Sequence, residues 1–133
     1  YGMLSAIGND MEYWGLELDK NYTMPHNKIH GDITNCPQIK DNSFECIVCI
    51  NTLEHVTTPW KAAEEMIRIC KPDGLIFVVA PFSWKYHCHP VDYWRFSPTG
   101  LEYLFNGTGK CETLQINYFE RRVLSFYIGK KIS

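Results

Sequence analysis

Asn51, Glu54 and His55 stand close together in the run Asn51-Thr52-Leu53-Glu54-His55-Val56, directly after the apolar stretch Glu45-Cys46-Ile47-Val48-Cys49-Ile50. An imidazole titrates near neutrality, so a histidine at the mouth of a cleft suits general-base chemistry, and His55 is the candidate proton acceptor. A second concentration of reactive side chains runs from His87 to Phe96 and holds His87, His89, Asp92, Tyr93, Trp94 and Arg95. A guanidinium there can clamp a carboxylate or phosphate, and Tyr93 and Trp94 can stack on a sugar or ring. The same residues also have a packing role open to them, with the rings seated on a sheet and Arg95 paired with Asp92. His87 and His89 share a face of an extended segment. No third ligand stands at a metal-site spacing, so no metal is expected.

These groups need elements to position them, and the chain alternates strand and helix patterns. Tyr1 to Ile7 reads as the tail of a helix stopped by Gly8-Asn9. Tyr13 to Leu18 and Lys28 to His30 read as short strands, the second closed by Gly31-Asp32. Asp41-Asn42-Ser43 is turn chemistry ahead of a strand from Glu45 to Ile50. Thr58 and Pro59 suit the cap and first position of a helix in which Ala62, Ala63, Met66, Ile67 and Cys70 recur at helical spacing. Lys71-Pro72-Asp73-Gly74 ends it. Leu75 to Ala80 is a continuous apolar run, the pattern of a strand covered on both faces. Ser97-Pro98 opens a helix to Phe105, and strands follow over Cys111 to Glu120 and Val123 to Ile128. Such alternation implies an α/β fold with a largely parallel sheet. In open sheets of that kind ligands bind past the carboxyl ends of the strands, where the Asn51–Val56 turn and the His87–Phe96 segment fall.

Composition narrows the function classes. The 133 residues, 45% hydrophobic and 21% charged, are enough for one core-forming domain. A net charge of −2 gives no electrostatic case for nucleic acid or an anionic membrane. No apolar run approaches the roughly 20 residues of a spanning helix, so no membrane role is expected and a cytoplasmic location follows. Cys46 and Cys49 have CxxC spacing, but residues three apart on a strand face opposite ways and cannot share one metal. All six cysteines are expected to be reduced thiols.

With these elements in place, the chain resembles the class I S-adenosylmethionine-dependent methyltransferases, in their type-11-like branch. The matching stretches are Tyr13-Trp14-Gly15-Leu16-Glu17, Gly31-Asp32-Ile33-Thr34-Asn35-Cys36-Pro37, Asp41-Asn42-Ser43-Phe44-Glu45 through Leu53-Glu54-His55-Val56, Ile69-Cys70-Lys71-Pro72-Asp73-Gly74, and His87-Cys88-His89-Pro90-Val91-Asp92-Tyr93-Trp94-Arg95-Phe96-Ser97-Pro98. The resemblance implies a Rossmann-like, mostly parallel sheet and S-adenosylmethionine as cofactor. It implies that Glu17 accepts hydrogen bonds from the ribose, that Asp32 receives the adenine amino group with the Ile33 amide facing the ring, and that Ile50 and Asn51 lie near the methionine portion. It makes the Leu-Glu-His-Val turn mainly a pocket wall, and makes His87, Tyr93, Trp94 and Arg95 part of a lid over the acceptor. Methyl transfer itself asks only that an acceptor be held in line with an already activated methyl group, away from water.

One departure bears on activity. The family's first strand and glycine-rich loop are expected ahead of Glu17, and no Gly-x-Gly occurs there. The expectation is a single, N-terminally incomplete domain over residues 1–133, lacking that strand and loop, with weak or absent cofactor binding by this chain alone. The exposed strand edges then require direct pairing, a second copy, or a missing N-terminal segment to complete the sheet. Two functions stay open: methyl transfer to an unidentified acceptor, small-molecule or sugar-like, and a degenerate methyltransferase-like domain with a non-catalytic binding or scaffold role.

Overall fold

The computed structural model describes residues 11–24, 27–88 and 91–133. The expected helix tail at residues 1–7 and His89 lie outside the described residues. The packing divides the chain after Asp32 into residues 1–32 and 33–133.

In the first part, β1 (Trp14–Glu17) pairs in parallel with β2 (Asn27–His30), with Glu17 opposite His30. The ladder is extended by the Gly31 amide, which donates to the Glu17 carbonyl at 3.0 Å.

In the second part, β3 (Phe44–Ile50), α1 (Pro59–Ile69), β4 (Cys70–Pro81), α2 (Pro98–Asn106), β5 (Cys111–Phe119) and β6 (Leu124–Lys131) follow one another. Their strands form a sheet in the order β3-β4-β6-β5. β3 and β4 are parallel, with Cys46 opposite Leu75 and Ile50 opposite Val79. β6 runs antiparallel to both β4 and β5. The sheet is therefore mixed: the α1 crossover makes the parallel pair, and a tight turn through Glu120, Arg121 and Arg122, all left-handed, makes the closing hairpin.

Helix α1 buries the stripe Ala62, Ala63, Met66 and Ile67, and α2 buries Leu101 and Phe105. Both pack on the face of the sheet that carries Ile76, Val78, Ala80 and Tyr127. Burial on this face drives the fold, since each large apolar side chain removed from water contributes about 1.5–3 kcal/mol. On the opposite face Val79 is buried but Leu75 and Val48 are exposed, so the cover expected on both faces of β4 is uneven among the described residues.

Local chemistry explains the ends of the elements. Ser97 caps α2, its Oγ accepting from the Gly100 amide at 3.0 Å, and Pro98 follows at the first position. Thr58 does not cap α1 with its side chain as its type suggested. Its carbonyl receives the Lys61 and Ala62 amides instead, because its backbone turns away from the cap geometry. Asn42, Asn51 and Asp73 take left-handed conformations, which their short polar side chains tolerate. All six cysteines are free thiols, and burial pushes the Cys49 thiol up to about 12.

Candidate functional site

The carboxyl ends of β3 and β4 lie side by side because these strands are parallel neighbours. Asn51, left-handed with φ 49°, turns the chain off β3, and its amide donates to the Val79 carbonyl at 2.9 Å. The chain then makes one 3-10 turn, Leu53–His55, that buries Leu53 and Glu54. After β4, described residues of the following stretch, Tyr93 and Trp94 among them, fold back onto this turn. The Tyr93 amide donates to the Glu54 carbonyl at 2.7 Å, and the Trp94 indole donates to the Val56 carbonyl at 2.8 Å. Trp94 also meets Trp60 edge-on, at 6.3 Å between ring centroids.

Asp92 organises this segment. Its carboxylate accepts from both terminal nitrogens of Arg95 and, at 2.7 Å, from the His87 amide. Those hydrogen bonds, the Arg95 pair first, hold the Asp92 carboxyl well below the usual carboxylate range. Arg95 donates further to the carbonyls of Trp84, Lys85 and Trp94, so the structure commits its guanidinium to tying the segment together. The expected clamp and the expected ion pair thus differ in outcome: the pair with Asp92 is formed. Asp92→Ala should release these ties, and limited proteolysis should cut between Ser83 and Ser97 several-fold faster than in the native chain. Unchanged cleavage would show that the segment is held by its rings alone.

Trp84, Tyr86, Asp92, Tyr93, Trp94 and Arg95 line an open surface groove of about 310 Å³. Trp84, Tyr86, Tyr93 and Trp94 are all exposed there. The candidate lid residues Tyr93, Trp94 and Arg95 therefore share one wall, and exposed aromatic faces are what a flat ligand stacks on.

His55 sits against this segment. Its Nδ1 donates to the Val91 carbonyl at 2.6 Å. Its Nε2 faces Glu54 Oε1 at 3.5 Å, and His87 Nε2 faces the same oxygen at 3.7 Å. Glu54 is fully buried, and both carboxylate oxygens lack a hydrogen-bond partner among the described residues. Burial pushes its carboxyl above the ordinary range, against the pull of the two histidines. Sequence spacing paired His87 with His89, which lies outside the described residues; the fold brings Glu54 and His55 to His87. The signal that could have found this is topological: residues following two parallel neighbouring strands must meet at one sheet edge.

The remaining candidates sit as follows. Glu17 ends β1, and its Oε1 accepts from the Asp19 amide at 3.3 Å. Asp32 is exposed just beyond β2. The Ile33 side chain packs on the second part's core. Ile50 ends β3, half-buried, and Asn51 is exposed beside it. The donor set fits S-adenosylmethionine chemically. Carboxylates at strand ends accept from ribose hydroxyls and an adenine amine, and an exposed amide can meet the charged methionine end.

A model of the methyltransferase domain family (type 11) matches residues 3–78. The chain is 46% identical over 93 residues to a demethylmenaquinone methyltransferase of Paenarthrobacter aurescens, covering 69% of this chain and 34% of that protein. It is 35% identical over 101 residues to the demethylmenaquinone methyltransferase of Renibacterium salmoninarum, covering 76% of this chain and 39% of that protein. The chain thus spans just over a third of the length of these relatives. Among solved structures, a SAM-dependent methyltransferase from Aquifex aeolicus superposes with a TM-score of 0.73 at 13% identity, over 96% of this chain and 73% of that one. A Haloferax volcanii complex of a putative methyltransferase with the activator Trm112 gives 0.74 at 14% identity, over 92% of this chain and 72% of that one. The fold is that of a Rossmann-like methyltransferase, and the chain belongs to the class I S-adenosylmethionine-dependent methyltransferases.

Proposed function

We propose that residues 1–133 act as a single methyltransferase-like domain that transfers a methyl group to a flat, ring-bearing acceptor of the quinone type. The observation that carries this reading is the exposed aromatic groove past the carboxyl end of β4, beside the Asn51 turn that leaves β3. Two relatives named demethylmenaquinone methyltransferase support the acceptor class.

S-adenosylmethionine, when bound, supplies the activated methyl group on its sulfonium. Glu17 would hold the ribose and Asp32 the adenine amine, with the Ile33 amide beside it, and Ile50 and Asn51 would flank the methionine portion. Tyr93 and Trp94 would stack on the acceptor and keep water from it, while Arg95, paired with Asp92, keeps that wall in place. His55 donates from Nδ1 to Val91, so with no cation on Nε2 that atom is the one able to take a proton.

The test is calorimetry with S-adenosylhomocysteine. The 133-residue chain, with no Gly-x-Gly ahead of β1, should bind weakly. In a form of the protein with measurable affinity, Glu17→Ala and Asp32→Ala should each weaken binding by about ten- to hundred-fold, the worth of one hydrogen bond to a charged group. Unchanged affinity in both variants would displace the site. Independently, loss of methyl transfer to a demethylated quinone in Trp94→Ala, with cofactor binding kept, would support the acceptor class, and transfer at the native rate would remove it.

A further inference from the structure

We propose that Glu54, His55 and His87 form a binding site for a divalent transition-metal ion of the zinc type, which pins the turn after β3 to the segment after β4. The three side chains each offer one ligand atom, and these atoms all lie within 4.8 Å of one another. With metal–ligand bonds of about 2.1 Å, the atoms of a tetrahedral site stand about 3.4 Å apart. The Glu54 Oε1 distances to His55 Nε2 and His87 Nε2, 3.5 and 3.7 Å, lie within a few tenths of that edge. The remaining edge, between the two imidazoles, stays within 4.8 Å.

Two further features separate this cluster from an accidental meeting of polar groups. First, Glu54 is 0% exposed and both its oxygens lack a hydrogen-bond partner among the described residues, a costly arrangement that a cation aimed at by the carboxylate would offset. Second, each histidine is already oriented as a ligand. A carbonyl only accepts, so the Val91 carbonyl fixes the His55 proton on Nδ1 and leaves the Nε2 lone pair toward Glu54. His87 Nδ1 lies 3.2 Å from Asp92 Oδ2 and 3.3 Å from the Lys85 carbonyl, which does the same for His87. A carboxylate or carbonyl behind each imidazole is the usual outer support of a metal-bound histidine. The His55 and His87 rings meet edge to face at 5.0 Å, and their side chains keep 18% and 27% of their surface exposed, so an ion can enter from the histidine side. Two imidazoles and one carboxylate suit zinc, cobalt or iron(II) better than magnesium or calcium.

The experiment is titration of the chelator-treated chain with zinc, and separately with cobalt(II), followed by calorimetry and visible absorption. One equivalent of zinc should bind and raise the melting temperature. The cobalt form should show tetrahedral or five-coordinate ligand-field bands without thiolate charge transfer. Glu54→Gln and His87→Asn should each weaken zinc binding at least about 100-fold, and Asp92→Asn by about 10–100-fold. Cys88→Ser, which alters the exposed thiol beside His87, should leave it unchanged. The cobalt spectrum of the native chain keeps the test valid should a variant fail to fold. Absence of stoichiometric binding, a thiolate band, loss of binding in Cys88→Ser, or native affinity in Glu54→Gln would each overturn the assignment. Because none of these readouts involves the cofactor or methyl transfer, failure here is distinguishable from failure of the methyltransferase reading.

Discussion

Phe105→Ala is expected to destabilise the second part of the chain by about 3–5 kcal/mol, the range for deleting a fully buried aromatic ring. Phe105 is 0% exposed and lies flat on Tyr127, with ring centroids 4.8 Å apart and planes 11° from parallel. Tyr127 in turn lies down along its own strand over Gly129, where an added Cβ would fall 2.0 Å from the tyrosine oxygen. That glycine is what lets the ring lie flat. The Tyr127 hydroxyl donates to Asn106 Oδ1 at 2.8 Å, the Asn106 amide donates to Thr113, and the Thr113 hydroxyl donates to Glu102 at 2.7 Å. Removing the Phe105 ring therefore opens a cavity and also loosens the support of a polar chain joining α2 to β5 and β6. Urea unfolding should show the midpoint falling with the slope unchanged. Phe105→Leu, which keeps most of the volume, should cost less than about 1.5 kcal/mol. A loss under about 1 kcal/mol in the alanine variant would mean that this stack does not hold α2.

Arg68→Ala should cost about 2–3 kcal/mol, mainly through its hydrogen bonds to the sheltered Glu65 and to two backbone carbonyls. Arg68 lies in the last turn of α1 and reaches into the loop ahead of β3. It donates to Glu65, to the carbonyls of Cys36 and Ile39, and to Asp41. Glu65 completes the pin by accepting from the Cys36 amide at 2.9 Å and from its thiol at 3.2 Å. The Arg68 hydrogen bonds, ahead of every other influence, hold the Glu65 carboxyl at about 2 against an ordinary 4.5. A carboxyl whose folded pKa is depressed stabilises the fold above its unfolded pKa and loses that contribution as pH falls to the folded one. The native chain should accordingly lose up to about 3 kcal/mol from this group between pH 4.5 and pH 2, and Arg68→Ala should lose much less over the same window. Unfolding free energies of the two chains should converge as pH drops through that range. Parallel curves would show that Glu65 takes its low pKa from the Cys36 amide instead.

Much of the fold was legible in local chemistry. The apolar run before Asn51, the helical spacing from Ala62 to Cys70 and the Ser97-Pro98 opening each correspond to an observed element, β3, α1 and α2. The Asp41-Asn42-Ser43 turn is there, with Asn42 left-handed at φ 55°. The stop expected at Lys71-Pro72-Asp73-Gly74 comes earlier: α1 ends at Ile69 and those four residues lie inside β4, which starts at Cys70, paired with Phe44 across the parallel ladder. That pairing is not local and left no mark on the helix-stop residues. The Thr58 side chain failed as a cap because its backbone, at φ −127° and ψ 70°, lies outside the cap geometry.

The residue types fixed the candidate chemistry on their own: an acid at the end of β1, an amide and an imidazole past β3, and aromatic rings with a guanidinium past β4. They do so because strand-end position and side-chain class are properties of a few neighbouring residues. Partners are different, since a hydrogen bond or a shared cation joins residues that only the sheet brings together. Only the tertiary structure decided that Arg95 is spent on Asp92 and three carbonyls, that His87 meets Glu54 and His55, and that Glu54 is fully buried with neither oxygen hydrogen-bonded among the described residues. The parallel pairing of β3 and β4 is the physical cause: it carries two segments distant in sequence to one edge, where their side chains complete each other.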